Sequence, residues 1–65
     1  MIGERIRTLR KQRGLSQEKL GEIVDLSQKQ ISKIEIEGTH DVRKLKRLAD
    51  VFGITVDELI EEPAE

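Results

Sequence analysis

The segment from Leu15 to Glu37, LSQEKLGEIVDLSQKQISKIEIE, most restricts what this chain can become. Ser16 and Ser27 each stand just before a run with helical periodicity, and serine is suited to capping the free N–H groups of a helix start. After Ser16, the apolar residues Leu20, Ile23 and Val24 recur at i, i+3 and i+4, which marks one face of a helix over about Gln17–Val24. Asp25 and Leu26 form a tight turn. Asp can take the place of Gly there, because Asp and Asn visit the left-handed backbone region more readily than other residues with a side chain. Gln30, three residues after Ser27, completes a capping-box pattern for a second helix over about Gln28–Glu35.

That second helix is expected to have two unlike sides. At about 100° per residue, Gln28, Ser32, Lys29 and Lys33 fall within one arc of about 140°. Ile31 and Ile34 lie opposite. One face is made to pack, and the other carries side chains that donate hydrogen bonds. The DNA major groove admits one α-helix, and Gln and Lys suit adenine and guanine edges there. The competing reading of such a face is simple solvation. Ile36 would fall on the polar arc if the helix ran on: either the helix stops before it, which is the expectation, or Ile36 meets an apolar surface such as a thymine methyl or another subunit.

The ordered set IGERIRTLRKQRGLSQEKL, LSQKQISKIE and LADVFGITVDEL resembles the lambda-repressor-like helix-turn-helix domains of the phage repressor and Cro group. The resemblance runs from about Ile2 to Ile60. It departs from the group at Asp25, where Gly is usual, and at Gly21, where Ala is usual. The segment after Glu35 is also about one residue shorter, which puts Gly38 late. The resemblance implies an all-α, compact five-helix fold with the helix-turn-helix at about residues 16–36. It implies a sequence-specific regulator of transcription on double-stranded DNA, most readily a repressor at an operator. Base contacts are then expected from Gln28, Lys29, Ser32 and Lys33, and phosphate contacts from Gln17, Thr39, His40 and Arg43. It also implies an ion pair between Arg10 and Glu35. A physical reason runs parallel: Glu35 lies beside the Ile31 side of its helix, where an unpaired carboxylate is costly. An alternative function keeps the same fold as a scaffold for protein contacts, as in an antitoxin-like partner, and a weaker one is a scaffold with no partner.

Charge bears on the DNA reading. The net charge is −1, from 12 Lys and Arg against 13 Asp and Glu. It is unevenly spread: residues 1–33 hold eight cations and four acids, residues 34–65 four cations and nine acids. The first part is therefore +4 and the second −5. Binding a polyanion needs a basic face, and a basic total is not required. The modest charge argues against tight non-specific binding by one copy.

The remaining chain reads as supporting helices. Helix one is expected over about Gly3–Arg13, with Ile2, Ile6 and Leu9 buried and Gly14 ending it in a left-handed conformation. Gly21 costs roughly 1 kcal/mol against Ala inside a helix, and close approach of the two motif helices would compensate. Gly38, Thr39 and His40 form a loop. A fourth helix spans about Val42–Val51, capped by Asp41 or Thr39, with Val42, Leu45, Leu48, Ala49 and Phe52 inward and Arg43, Lys44, Lys46 and Arg47 outward. Thr55 and Glu58 form another capping box, opening a last helix to about Glu62. Its apolar side is Val56, Leu59 and Ile60, and these are the expected homodimer contact, since Leu59 and Ile60 cannot face one core equally well. Two-fold pairing would set recognition helices about 34–36 Å apart. Pro63 stops the helix, and residues 63–65 are a tail.

Other function classes find little in the residues. There is no cysteine and one histidine, so no metal site or disulfide framework is expected. Neither a nucleophile elbow nor a Gly-rich phosphate loop occurs, so no catalysis, cofactor or small-molecule ligand is expected. The charged N-terminus lacks a signal-peptide centre, and no apolar run is long enough to span a membrane. A single cytosolic domain over residues 1–65 is the expectation.

Overall fold

A computed structural model describes residues 2–61. Five helices follow one another among these residues: α1 (Ile2–Gln12), α2 (Gln17–Val24), α3 (Gln28–Glu37), α4 (Val42–Phe52) and α5 (Val56–Ile60). The tail, with Pro63 and the expected end of the last helix at Glu62, lies outside the described residues.

The helix starts follow the capping chemistry. Ser16 Oγ accepts from the Lys19 N–H at 3.0 Å. Ser27 and Gln30 form the reciprocal box, with Ser27 Oγ accepting from Gln30 N–H at 3.1 Å and Gln30 Oε1 from Ser27 N–H at 2.9 Å. Asp41 rather than Thr39 caps α4, its carboxylate accepting from Arg43 and Lys44 N–H, while Thr39 Oγ1 accepts from Asp41 N–H. Thr55 and Glu58 close the box of α5.

The core is aliphatic around one aromatic ring. Ile6, Leu20, Val24, Ile31, Ile34, Leu45, Leu48, Ala49, Phe52 and Leu59 are buried, with Ile2, Leu9, Leu15, Leu26, Val51, Ile54 and Val56 packed at its edge. α3 lies against both α2 and α1, and α4 and α5 close the far side. α1 also ties the C-terminal helices down with cations. Arg5 Nε donates to Glu58 O at 3.1 Å. The Arg13 guanidinium stands 5.3 Å from the Phe52 ring centroid, a cation–π distance, and donates to Phe52 O at the end of α4.

Backbone closeness sets α3 in place. Asp25 ends α2 in the left-handed region at φ 61°, and Leu26 N–H then donates to Gly21 O at 2.7 Å. A Cβ on Gly21 would collide with Leu26 O, so the turn itself, more than the neighbouring helix, excludes a side chain there. A Cβ on Gly3 would collide with the carbonyls of Ile34 and Glu35. The start of α1 therefore lies directly on the last turn of α3.

Several expectations need correction. α1 begins and ends one residue earlier than Gly3–Arg13, and the buried residues of its span include Gly3 and Arg10 while Ile2 and Leu9 are half-buried. Ile23 is 51% exposed, because α2 meets its neighbours with Leu20, Gly21 and Val24. Val42, the first residue of α4, is 69% exposed, because that helix meets the core with Leu45, Leu48, Ala49 and Phe52. α4 runs one residue further than Val51, to Phe52, and Gly53 takes over at φ 71°. α5 stops at Ile60, with Glu61 in extended conformation at its end. The largest difference concerns α3, which continues through Ile36 to Glu37.

Candidate nucleic-acid interface

The outward side of α3 is the candidate surface. Its capping box fixes the first residue, so Gln28 heads the helix. Gln28, Lys29 and Lys33 are exposed and Ser32 is half-buried, while Ile31, Ile34 and Glu35 are buried on the opposite side. The four polar side chains thus share one face, two of them cationic and two able to donate and accept.

A buried ion pair holds that face outward. Glu35 accepts two bonds from Arg10, Nε to Oε2 at 2.7 Å and Nη2 to Oε1 at 3.2 Å. This is the fork geometry that makes Arg–carboxylate contacts strong and directional. Arg10 Nη1 also donates to Leu15 O at 2.8 Å, which anchors the link between α1 and α2. Gln17 Nε2 donates to Glu35 Oε1 at 3.2 Å. One carboxylate on α3 therefore connects α1, the α1–α2 link and the start of α2. Among the described residues no buried side-chain nitrogen or oxygen lacks a partner, which is the condition a buried pair needs to offset its desolvation.

The flanking residues have mixed surroundings. Gln17 is half-buried, with its amide nitrogen engaged on Glu35. His40 and Arg43 are exposed and Thr39 is half-buried at the start of α4. The Asp41 carboxylate occupies the N–H groups of that helix start, and its charge opposes an anion there.

The cations of residues 1–33 are less available than their number suggests. Arg10 is buried in its pair, and Arg5 and Arg13 are turned onto Glu58 O and Phe52. The periodicity of α1 does not mark Arg5 or Arg13 for these contacts. The one available signal was an aromatic residue in an otherwise aliphatic core, which offers a cation a π face.

Of the residues expected at a subunit contact, Leu59 is 0% exposed and belongs to the core of its own chain, so it is withdrawn from that set. Val56 is half-buried, and Ile60 is 46% exposed. Leu59 and Ile60 do not face the core equally, and Leu59 is the inward one.

Among the described residues no group of three His, Cys, Asp or Glu side chains could hold a metal ion. No described helix is long and apolar enough to cross a membrane.

A family model described as "Helix-turn-helix" matches residues 6–59. The chain is 38% identical over 58 residues to "HTH-type transcriptional regulator RamB" of Mycobacterium tuberculosis, covering 82% of this chain. It spans only 11% of the length of that relative. Among solved structures, the N-terminal DNA-binding domain of SinR from Bacillus subtilis superposes with a TM-score of 0.87 at 30% identity, covering 100% of this chain and 97% of that one. SinR in complex with DNA, described as the master regulator for biofilm formation, gives a TM-score of 0.82 at 28% identity, covering 94% of this chain and 100% of that one.

Proposed function

The chain belongs to the helix-turn-helix family, and from that membership we propose that it binds double-stranded DNA sequence-specifically and regulates transcription. The observation that carries the proposal is the two-sided α3. Its apolar side and Glu35 are locked into the protein, and Gln28, Lys29, Ser32 and Lys33 are presented on the other side. A helix of this kind fits the major groove, with its N-terminal residues on base edges. The similarity to a DNA-bound SinR structure and to a transcriptional regulator supports the same reading.

Roles follow from donor chemistry. Gln28 offers a donor and an acceptor together, matching adenine N6 and N7. Lys29 and Lys33 only donate, and suit O6 and N7 of guanine. Ser32 is short and tolerant. Gln17, Thr39, His40 and Arg43 flank the groove as phosphate contacts. Gln17 stands at a helix N-terminus, which favours anions, and with one amide N–H on Glu35 its second N–H is the one left for a phosphate. The protein acts as a homodimeric repressor in the cytoplasm. Ile60 is its exposed apolar residue at the expected subunit contact, with Val56 beside it.

The test is selection from a random duplex pool, followed by binding measurements across salt. A clean consensus and a steep fall of affinity with salt are expected. Gln28→Ala should lose about 1–3 kcal/mol on the preferred site, lose far less on random duplex, and relax one base position. Absence of both a consensus and a salt slope would move the protein to the scaffold class.

A further inference from the structure

α3 carries one large apolar side chain on its exposed arc. Ile36 is 70% exposed, the highest value among the exposed large hydrophobic residues described. At about 100° per residue it falls at about 80° from Gln28, between Ser32 and Lys29. It is thus in the middle of the polar face, where solvent gives it no packing partner. It stands eight positions beyond Gln28, about 12 Å along the axis at 1.5 Å per residue.

Resting on the DNA-binding reading above, we infer that Ile36 recognises the C5-methyl group of a thymine in the major groove. Isoleucine can neither donate to nor accept from a base edge or a phosphate, so DNA offers it one favourable partner on that side. The thymine methyl is the apolar group exposed in the major groove, and apolar side chains read thymine through it. The neighbouring Glu37 is also exposed. Its charge works against a roll that would press this end of α3 onto the phosphates, and so favours the orientation that turns Ile36 toward the bases. For a helix lying along the groove, 12 Å is about three to four base-pair steps at the spacing of one turn per 10–10.5 pairs. The thymine should lie that far from the position read by Gln28.

The experiment uses the duplex selected by the protein, with each thymine replaced in turn by deoxyuridine, which lacks only the methyl. Wild type, Ile36→Ala and Ile36→Val are compared on every duplex. One thymine per half-site is expected at which deoxyuridine weakens wild type about fourfold, the effect of exposing one methyl-sized group. Ile36→Ala should be indifferent to that replacement, and Ile36→Val should keep much of the dependence. If the consensus is bound but every replacement affects wild type and Ile36→Ala alike, the assignment fails while the DNA-binding reading stands. If Ile36→Ala instead lowers the number of copies on the duplex with no thymine dependence, Ile36 is a subunit contact and the assignment is overturned. If wild type selects no duplex, the assignment and the reading beneath it fall together.

Discussion

The two ends of α3 are held in different ways. At its N-terminus the backbone and hydrogen-bond restraints are local: Asp25 in the left-handed region, Leu26 N–H on Gly21 O, and the Ser27–Gln30 box. At its C-terminus the restraints are mostly distant in sequence. Gly3 admits the backbone of α1 against the Ile34 and Glu35 carbonyls, and Arg10 reaches Glu35 across 25 residues. Local hydrogen bonds decide where the helix starts. Tertiary contacts decide which way it faces. A DNA-reading helix needs both, since a base contact depends on register and on rotation about the axis.

The largest expected effect breaks the C-terminal restraint. Arg10→Ala or Glu35→Ala leaves a buried charge unpaired and should destabilise by about 3–5 kcal/mol. Glu35→Ala also frees the Gln17 amide. Thermal or denaturant unfolding of both variants and of the double variant measures this. The double variant should lose much less than the sum, because removing both charges removes the desolvation problem. Two near-silent single variants would show that the pair does not hold α3.

This difference also explains what could be read in the sequence. The start of α3 was legible because a capping box is a short pattern with a direct physical meaning. Its end was not, because an isoleucine at position 36 is a misfit on the polar arc and pattern alone stops the helix before it. The helix follows its backbone instead, and Gly38 N–H on Ile34 O closes the last turn at 2.7 Å. Ile23 shows the matching limit of periodicity. A spacing of i, i+3, i+4 defines a face wide enough to include it, but the neighbours of α2 cover only the Leu20–Val24 side. Leu59 and Ile60 differ by one position on a five-residue helix, too short for any period to rank them. The Arg10–Glu35 pair came from the family resemblance, and Gln17 as its third member came from neither source. The placement of Gln28, Lys29, Ser32 and Lys33 on one face was legible as geometry, since it needs only the start of α3 and the helical repeat, whereas Ile36 joins that face only because the helix runs on to Glu37.

A middle-sized effect compares the backbone contacts at the two ends. Gly3→Ala and Gly21→Ala each place a Cβ against a backbone carbonyl rather than a flexible side chain. Alanine gains up to about 1 kcal/mol of helix propensity over glycine. Overpacking of this kind costs about 1–3 kcal/mol, so both should be net destabilising. Gly3→Ala pushes α1 from α3 and should also weaken sequence-specific binding at equal folded fraction. Gly21→Ala widens the turn before α3. A more stable Gly21→Ala protein would mean that the turn relaxes without cost, as the alanine usual in the resembling family suggests it can elsewhere. Chemical denaturation of the two variants decides between these outcomes.

A smaller effect tests the N-terminal restraint alone. Ser27→Ala removes the acceptor for Gln30 N–H and half of the box, and should cost about 1 kcal/mol. Hydrogen exchange should quicken at the first turn of α3 and leave the last turn unchanged. Equal loosening at both ends would mean that the helix is held as one unit, and the distinction between its ends would be lost.

The smallest effect sits two residues from Ile34, on the other side of the same turn. Ile36→Ala should change stability by no more than about 0.5 kcal/mol, the usual range for surface positions away from special features. The exposed isoleucine has little packing to lose. β-branched residues are also somewhat poorer than alanine inside a helix, so a slight gain is the favoured sign. The last turn should survive the change, because Gly38 N–H, the Gly3 contact and the Arg10–Glu35 pair all remain. Denaturant unfolding measures the sum, and hydrogen exchange at Gly38 reports the turn itself. A loss above about 1 kcal/mol would mean that Ile36 packs within its own chain, a cost that surface positions rarely show. The contrast between a buried and an outward side of α3 would then fail at its C-terminal end. A near-neutral result leaves Ile36 with no structural duty in the free chain, so a change in DNA preference on its replacement can be read as recognition and not as damage to the fold.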